Sequence, residues 1–432
     1  MLAFLNERIF GWLLPLSLLL SGGYLIAFLG LRPIRGIGCL MRRGGGKGEA
    51  LRHMVTALAG TLGVGNITGV AAAISGGGAG ALFWMWISGL AAMAVKYAET
   101  VLACLYRRWD EKGIAHGSAA STMEIGAGWR KTAWLFSVLL LIGGITVGNL
   151  TQTGAAAETA KAFFGIPPLA CGLLLCLLFC LAVRRGGEGI VRFANMLIPP
   201  LTLVYVIFAL AVILPQAGRL PDILADIVHS AFTPRAGISG IGGYLLMSSL
   251  RLGTSRGLLS NEAGCGTAAT AHAASSAEPA EQGLYGIFEV LVDTHLLCTL
   301  TGLVILLAGS EAADYEGTEL AIRAFSLRLG GWVEGPLALS VMLYALASSV
   351  AWCYYGIEAI WYLSKGKAAD GWYRLLSGLS CIVGSLLPMS VIFGWSDLTV
   401  AVMTLINLTC ILRLSGRVRE QADGYLAKKR RC

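Results

Sequence analysis

Two short segments of the chain combine glycines with polar side chains inside strongly apolar runs. The first, GTLGVGNITGV at residues 60–70, carries Asn66 among four glycines. The second, GTSRGLLSNEAGCG at residues 253–266, also has four glycines and carries Ser260, Asn261 and Glu262. Because glycine is the poorest helix former after proline, each segment predicts an interruption in a helix.

An interrupted helix offers binding groups from its own backbone. Its first half ends in unpaired carbonyls, and its second half begins with free N–H groups. Carbonyl oxygens suit Na⁺ and free N–H groups suit a carboxylate, so the two segments predict a site for a zwitterion with a co-bound cation. Asn66 can add a side-chain oxygen for the cation. Close helix packing through small residues would explain Gly65 and Gly69, but not Asn66 or the SNE sequence at membrane depth.

Other polar residues inside apolar runs are candidates for the same site. Gln152, at the end of GNLTQ, can accept from an ammonium or donate to a carboxylate, although a hydrogen bond between helices is an open alternative. In ALASSVAWCYYG, Ser348 and Ser349 offer hydroxyl oxygens to a cation. Trp352, one turn beyond Ser348, can wall the pocket and limit substrate size, or simply pack. Polar residues in spans generally face the bundle interior.

Charged residues within apolar runs need partners, because an uncompensated charge in the membrane is costly. Asp293 and Thr294 lie in the middle of such a run. Na⁺ and Arg256 are both open as partners of the Asp293 carboxylate. Lys96 and Glu99 stand three residues apart, a spacing that lets them satisfy each other on one helix, so we expect this pair to be structural.

The elements that must position these residues are membrane helices. The chain is 56% apolar and 13% charged, whereas a soluble domain carries roughly 25% charged residues. Apolar runs of about 18 residues or more recur, which is typical of spanning helices. The predicted spans are 9–31, 51–76, 79–106, 132–164, 167–183, 190–215, 236–266, 282–309, 333–363, 372–389 and 394–412.

The interrupted segments fall in the second and the seventh of these eleven spans. With the first span set aside, the other ten divide into two halves that each begin with a broken helix and run in opposite senses. Such paired interruptions indicate an inverted-repeat transporter with a site near the membrane centre. The predicted fold is an all-α integral membrane protein of about eleven helices, with a five-plus-five inverted repeat, two discontinuous helices and one extra N-terminal helix. The predicted units are an N-terminal helix with a basic loop (1–50), two repeats (51–235 and 236–412) and a basic tail (413–432).

The distribution of basic residues predicts the topology. Most of the 33 lysines and arginines fall on one side if the N-terminus lies outside and the C-terminus in the cytoplasm. Basic residues follow the first apolar run more than they precede it, which favours a retained helix over a cleaved signal. The net charge of +8 therefore indicates contact with an anionic lipid leaflet and not with nucleic acid.

Metal and enzyme chemistry are not expected. The eleven cysteines include no CxxC pair and are interpreted as small buried hydrophobes. The five histidines show no metal-ligand spacing, so no transition-metal site and no cofactor are predicted. No nucleophile–base constellation is visible, and we expect a protein that is not an enzyme.

Several segments, in order along the chain, resemble the alanine/glycine:cation symporter family, which are sodium-coupled amino-acid carriers of bacteria and archaea. The resemblance covers about residues 50–365, and its most specific part is the SNEAG block. The matching segments are GTLGVGNITGVAAAISGGGAGALFWMW, KYAETVLACLYR, GNLTQ, RGLLSNEAGCGTAATAHAASSAEPAEQG, VDTHLLCT and WCYYGIEAIWYL. The resemblance implies the ten-helix inverted repeat of the LeuT class and Na⁺-coupled symport of alanine or glycine, with Trp352 excluding larger side chains.

The candidate site residues follow from the residue types and from the resemblance together. The expected substrate-binding residues are Thr61, Gly63, Gly65, Asn66, Gln152, Ser260, Asn261, Ser348 and Trp352. The expected ligands of the coupling ion Na⁺ are Gly63, Asn66, Asn261, Asp293, Ser348 and Ser349. We expect a monomer in a bacterial or archaeal cell membrane. Proton coupling through Asp293 or Glu262, and an amino-acid sensor without transport, are the alternative functions.

The chain departs from the family pattern at four places. A GGPMYYI-like stretch is replaced by HGSAASTMEIGAG from His116, within the divergent loop 113–130. Gly154 stands where the family has asparagine, and Leu346, Ala347 and Ser348 stand where it tends to have F-S-T. GGAG replaces GGPG after the first broken segment. These changes leave the backbone ligands in place and bear on side-chain selectivity.

Overall fold

A computed structural model describes residues 9–42, 48–233, 241–312, 314–366 and 370–430. These residues are predominantly helical. The α-helices are α1 Leu14–Leu29, α2 Arg32–Arg42, α3 Gly48–Thr61, α4 Val70–Gly77, α5 Gly80–Leu105, α6 Ala119–Ser121, α7 Arg130–Gly143, α8 Gln152–Phe164, α9 Pro168–Val183, α10 Gly186–Ile213, α11 Leu220–Phe232, α12 Ile241–Asn261, α13 Thr267–Ala273, α14 Pro279–Val290, α15 Thr299–Ala308, α16 Gly317–Leu329, α17 Glu334–Leu363, α18 Gly371–Leu386, α19 Met389–Arg413 and α20 Ser415–Arg430.

Short elements of other kinds extend or join these helices. The π-helical turns are Ile9–Leu13, Gly65–Gly69, Thr122–Gly126, Gly144–Thr151 and Leu291–Cys298, and the 3₁₀ turns are Leu214–Arg219, Gly309–Ala312 and Gly331–Val333. Strands β1 (Arg108–Trp109) and β2 (Ala115–His116) form an antiparallel hairpin. Two π-helical turns lie within long helices, joining α7 to α8 and α14 to α15, and such turns are frequent at functional sites.

The helices have the length and hydropathy of membrane spans. Six of the described helical segments can cross a membrane by themselves, and eight can if each of two bent pairs forms one span. The predicted all-α multi-pass architecture is confirmed, whereas the count of eleven spans stays a prediction.

The first predicted break is confirmed. Helix α3 ends at Thr61, residues 62–64 are not helical, and the chain then passes through the π-helical turn Gly65–Gly69 into α4. The two helical pieces are bent by 56°. Residues 62–69 are called the first break below. A Cβ at Gly63 would lie 2.6 Å from Oε1 of Gln152, so a side chain at this position would collide with α8.

The second break is confined to residues 262–266. Helix α12 ends at Asn261 and α13 begins at Thr267. Positive φ angles occur at Glu262 (52°), Gly264 (78°) and Gly266 (89°). This left-handed conformation favours glycine because it has no Cβ, and it turns the backbone between the two helices.

The prediction that this break starts at Gly253 is wrong, because α12 continues through Gly253 and Gly257. Both glycines instead allow α12 to pack closely on α5. A Cβ at Gly253 would overlap the carbonyl group of Ala81, and a Cβ at Gly257 would lie 2.8 Å from Oγ of Ser88. Small residues at helix contacts of this kind let the backbones approach each other.

Helix α5 is central to the packing. It contacts α12 and α14 more extensively than most helix pairs in the chain contact each other. The predicted pairing of Lys96 with Glu99 on this helix is wrong: Nζ of Lys96 lies 3.2 Å from Oε1 of Glu289 on α14. The Glu99 carboxylate instead accepts from the backbone N–H of Gly264 and from Nδ2 of Asn407, at 3.0 Å each. Tertiary partners thus replace the neighbour on the same helix.

Some predicted boundaries lie outside the described residues. The division between the two repeats, at residues 235 and 236, is one of them, as are the first residues of the predicted span 236–266. The predicted basic tail, apart from residues 431 and 432, forms the end of α19 and then α20.

Candidate functional site

A cavity of about 500 Å³ lies beside the first break, a volume typical of small-molecule sites. Residues from both breaks, α8, α16 and α19 form its walls. They include Gly60, Thr61, Gly63, Val64, Gly65, Gln152, Leu259, Glu262, Thr318, Phe393 and Asp397. The interrupted helices and the polar face of α8 therefore meet at one cavity.

Gln152 contacts the first break directly. Its Oε1 accepts a hydrogen bond of 3.1 Å from the backbone N–H of Val64, one of the donors that the interruption leaves without a helical partner. Gly63 leaves room for this amide. Because Oε1 is engaged by the backbone, Nε2 of Gln152 is the group that can donate to a ligand in the cavity.

A buried polar cluster behind the cavity joins the first break to α12 and the π-helical turn that contains Asp293. One Asp293 carboxylate oxygen accepts from Nδ2 of Asn66 at 2.7 Å. The other accepts from Oγ of Ser260 at 2.9 Å and from Oγ1 of Thr294 at 2.8 Å. Asp293 is 0% exposed, and its hydrogen-bond partners in the described part of the chain are neutral. Arg256, one of the two partners left open for this carboxylate, is not among them.

The same cluster contains an oxygen suited to a cation. Oδ1 of Asn66 is buried and has no hydrogen-bond partner among the described residues, while its Nδ2 is used by Asp293. Asn261 lies beside this group, with its Nδ2 donating to Thr294 at 3.1 Å. Carbonyl, hydroxyl and carboxylate oxygens are the ligands that hard cations prefer, and a cation here would offset the buried charge of Asp293.

The two serines of α17 contact the backbones of both flanking helical segments. Oγ of Ser348 donates to the carbonyl of Gly60 at 2.9 Å, near the end of α3. Oγ of Ser349 donates to the carbonyl of Gly148 at 2.7 Å. Each pair places a hydroxyl oxygen beside a carbonyl oxygen, and both oxygens keep lone pairs for a cation.

Trp352 lies outside the cavity lining. It is 0% exposed, and it packs against Gly148, where a Cβ would overlap its own. Its Nε1 donates to Oε1 of Glu262 at 2.9 Å, while Oε2 of Glu262 accepts from Thr267 at 2.6 Å. Trp352 therefore holds the second break in place, and the size limit predicted for it stays a prediction.

A second cavity of about 780 Å³ lies at the other end of α3. Charged residues dominate its walls, including Glu49, Arg52, His53, His116, Arg185, Glu188, Arg192 and Glu358. Helix α3 is 14 residues long, which at 1.5 Å per residue separates its two ends by about 20 Å. The layer between the cavities includes the bond from Ser348 to Gly60 and the ring of Tyr355, whose hydroxyl lies against Gly60.

The divergent loop borders this second cavity. The ring of His116 stacks on Trp361, with centroids 4.0 Å apart. Its Nδ1 lies 2.9 Å from Oε2 of Glu358, and its Nε2 lies 3.6 Å from Oδ2 of Asp110. Burial lowers the pKa of His116, but the hydrogen bond and charge of Glu358, with those of Asp110, outweigh it and raise the pKa above its ordinary value.

The predicted residues thus fall into two layers. Thr61, Gly63, Gly65 and Gln152 line the cavity, whereas Asn66, Ser260, Asn261, Asp293, Ser348, Ser349 and Trp352 lie behind it. The cavity also has polar and aromatic lining residues that the sequence did not single out for the site: Thr151, Glu158, Thr318, Phe163, Phe393 and Asp397. Thr151 precedes Gln152 in the GNLTQ motif, and Glu158 and Phe163 lie further along the same helix α8. Thr318, Phe393 and Asp397 come from distant parts of the chain and carry no local signal.

Within the described ranges, no group of three or more histidine, cysteine, aspartate or glutamate residues could hold a metal ion. The oxygen clusters at Asn66 and Ser348 contain at most one carboxylate among the residues named above. The expectation of Na⁺ as the only bound metal stays a prediction.

Comparison with known proteins shows similarity along the whole chain. The sequence pattern described as the sodium:alanine symporter family matches residues 1–432. An uncharacterized transporter of Haemophilus influenzae is 33% identical over 97% of this chain and 94% of its own length. The sodium/alanine symporter AgcS of Methanococcus maripaludis is 31% identical over 86% and 83%, and the probable sodium/glutamine symporter GlnT of Bacillus subtilis is 31% identical over 98% and 90%.

Among solved structures, the transporter MhsT in complex with L-phenylalanine shares the fold. The TM-score is 0.59 at 14% sequence identity, covering 88% of this chain and 97% of that one. At this identity the likeness concerns the fold alone, and it confirms the predicted LeuT-type architecture.

Proposed function

The chain belongs to the sodium:alanine symporter family, and on that premise we propose that it carries alanine or glycine across a cell membrane together with Na⁺ by alternating access. The family is one of transporters, and the apolar helices make this chain a multi-pass membrane protein. The observation that carries the proposal is the meeting of both broken helices and Gln152 at one cavity, with the Asp293 cluster directly behind it.

The substrate would bind beside the first break. Its carboxylate would approach Nε2 of Gln152 and the N–H groups that begin the second half of the helix, where the partial charge is positive. Its ammonium would meet the carbonyl oxygens at the end of α3, near Gly60 and Thr61. Gly63 supports this arrangement because its lack of a Cβ keeps the Gln152 amide against the break.

Na⁺ would bind in the layer behind the substrate. Asp293 and the free Oδ1 of Asn66 would be its main ligands, since a buried carboxylate with only neutral partners gains most from a cation. The hydroxyl of Ser348 with the carbonyl of Gly60 offers a second place of the same chemistry. Binding of Na⁺ at Asn66 would order the first break and so lower the cost of ordering the substrate site, which makes the two ligands bind cooperatively.

Two cavities on opposite ends of α3 support alternating access. The one beside the first break lies near Glu316 and α16, and the other lies among basic residues of the predicted cytoplasmic loops. We place the first cavity on the outer side, with the N-terminus outside and the C-terminus in the cytoplasm, on the basis of the distribution of lysine and arginine. Opening the layer at Ser348 and Tyr355 while closing the outer cavity would release both ligands inward.

Uptake by the purified full chain in liposomes tests this function. An inward Na⁺ gradient should drive accumulation of labelled alanine or glycine, and a K⁺ gradient should not. Gly63→Ala should abolish uptake, since its Cβ would displace the Gln152 amide. Gly23→Ala is the matched control, because Gly23 lies in α1 with nothing within 4 Å of the added Cβ. Equal uptake without Na⁺ would refute the coupling, and Na⁺-dependent binding without flux would indicate a sensor.

A further inference from the structure

A second buried polar cluster lies outside the lining of the substrate cavity and about one helical turn from Asp293. It joins α5, α13 and α14 through Lys96, His272, Gln282 and Glu289, whose exposures are 0% or 1%. Nζ of Lys96 lies 3.2 Å from Oε1 of Glu289, and Nε2 of His272 lies 2.9 Å from Oε2 of the same carboxylate. Glu289 therefore bridges an ammonium and an imidazole inside the helix bundle.

The cluster holds more acidic than basic groups when His272 is neutral. The carboxyl groups of Glu289, Glu99 and Glu262 all interact electrostatically with the Lys96 ammonium. When all three are ionised, the single ammonium leaves two negative charges uncompensated at a depth where each is costly. A proton on His272 would then compensate one of them.

The amide of Gln282 is the feature that makes His272 a site for that proton. As the amide is oriented, its Nε2 donates to Nδ1 of His272 at 2.7 Å and to the carbonyl of Ala50 at 3.3 Å. Nδ1 is then an acceptor, so His272 is neutral and its Nε2–H donates to Glu289. In this orientation Oε1 of Gln282 is buried and has no hydrogen-bond partner among the described residues.

Rotating the Gln282 amide by half a turn would satisfy the other protonation state. Oε1 would then accept from an Nδ1–H of His272, which would be doubly protonated and would also donate to Glu289. In this arrangement the Nδ1–H of His272 donates to Oε1, while Nε2 of Gln282 loses both of its acceptors, Nδ1 and the Ala50 carbonyl. The gain is the compensation of a buried negative charge by the imidazolium. The two arrangements thus differ by one proton and one amide rotation.

A neighbouring histidine lies between this site and the second cavity. His53 lines that cavity and hydrogen-bonds to the backbone of Ala271, adjacent to His272. Helix α3 also supplies Glu49 to the cavity and the Ala50 carbonyl to Gln282. The ionisable groups around His272 include Glu289 on α14, Lys96, Glu99 and Cys104 on α5, His53 on α3, and Glu262 in the second break.

We propose that His272, held between Glu289 and Gln282, is a proton-binding site that exchanges its proton with the second cavity during the transport cycle and is separate from the substrate and Na⁺ sites. Helix α13, which carries His272, is seven residues long and directly follows the second break. A displacement of this helix would separate His272 from Glu289 and leave the carboxylate to Lys96 alone. The rate of transport should therefore depend on the protonation of His272. The proposal rests on the proposed transport only for its flux readout.

Nuclear magnetic resonance measures the protonation state of His272 independently of transport. Selective ¹⁵N-histidine labelling of the full chain in detergent gives signals from five imidazoles, and the His272 signal is the one lost in His272→Gln. It should change from the neutral to the doubly protonated form when the solution is acidified. Gln282→Glu, whose carboxylate accepts from an Nδ1–H, should favour the doubly protonated form of His272 relative to wild type at each pH. A His272 signal that does not change form in wild type would overturn the proposal.

Uptake in liposomes with equal pH on both sides tests the role in transport. Wild-type uptake should vary with pH, by up to about tenfold per unit where proton binding limits the rate, because proton activity changes by that factor. His272→Gln and Gln282→Glu should both flatten this pH profile. The uptake rate of Gln282→Glu should stay close to the rate that the wild type has at low pH. His229→Gln, an exposed position on α11, should retain it. If folded His272→Gln keeps the wild-type pH profile, the proposal is refuted. If the wild type takes up no alanine, the proposed function is refuted, and the proton-binding site is then judged by the resonance experiment alone.

Discussion

Replacing Asp293 by asparagine tests whether this carboxylate is a sodium ligand or a purely structural group, because the two roles predict opposite effects. The carboxylate accepts hydrogen bonds from Asn66, Ser260 and Thr294 at 2.7–2.9 Å. Asparagine keeps one oxygen acceptor and has nearly the same shape. The hydroxyls of Ser260 and Thr294 can rotate to accept from the new NH₂ group, so the cluster can stay satisfied without the charge.

The expected loss of Na⁺ binding follows from the burial of the site. Two unit charges about 4 Å apart at an effective dielectric constant of about 20 attract each other by about 4 kcal/mol. Losing this attraction would weaken Na⁺ binding by roughly 1,000-fold. Without Na⁺, removal of a buried and uncompensated charge should leave the free energy of unfolding unchanged or increase it.

Thermal unfolding of purified protein, with and without Na⁺, measures both effects. At a Na⁺ concentration about 100 times the dissociation constant, binding stabilises the wild type by about 2.7 kcal/mol, and Asp293→Asn should lose nearly all of it. Asp226→Asn, on the exposed face of α11, is the control and should retain the Na⁺-dependent rise. If Asp293→Asn lowers the unfolding temperature without Na⁺ and keeps the Na⁺-dependent rise, Asp293 is structural and the assignment of the ion site is wrong.

Two further predictions concern packing and pH. Gly253→Ala should destabilise the protein by about 1–3 kcal/mol, since its Cβ would overlap the Ala81 carbonyl. A reduced yield of monodisperse protein and a lower unfolding temperature would show this destabilisation. A substitution without effect would mean that α12 and α5 do not pack closely. His116 has a folded-state pKa raised by Glu358 and Asp110 against the effect of burial, so the docking of its loop should be strongest below the ordinary pKa of about 6.5 and weaken as the pH rises through the folded value. Hydrogen exchange of β1 and β2, corrected for intrinsic rates, should report this loss in wild type, and His116→Gln should remove the pH dependence; an unchanged dependence in the variant would contradict the mechanism.

The first break could be predicted from the sequence because its local composition is decisive. Glycines at 60, 63, 65 and 69 combine low helix propensity with a polar Asn66 in an apolar run, and no packing role accounts for the asparagine. The extent of the second break could not be predicted in the same way. Gly253 and Gly257 have the same propensity as Gly264 and Gly266, and only contact with α5 distinguishes glycines that pack from glycines that bend the chain.

Partners distant in sequence were the main limit for the polar residues. The spacing of Lys96 and Glu99 favours a pair on one helix, whereas the fold brings Lys96 to Glu289 and leaves Glu99 to bind the backbone of Gly264. A buried side chain bonds to whichever group the tertiary packing brings nearest, and that neighbour has no local signature. The sequence alone predicts that burying the charge of Asp293 is costly. It does not predict which groups stabilise that charge.

The positive φ of Glu262 has a consequence for protein engineering. A non-glycine residue in this conformation carries strain of about 1–3 kcal/mol, and asparagine or glycine would adopt it more readily. Selection of variants by thermal stability alone, for crystallisation or for a biosensor scaffold, would therefore favour substitutions at position 262. Such a variant would gain thermal tolerance while losing the acceptor that holds Trp352 and Thr267, a trade-off between robustness and turnover. Thermostable versions of this carrier should accordingly be sought at positions with ordinary backbone angles.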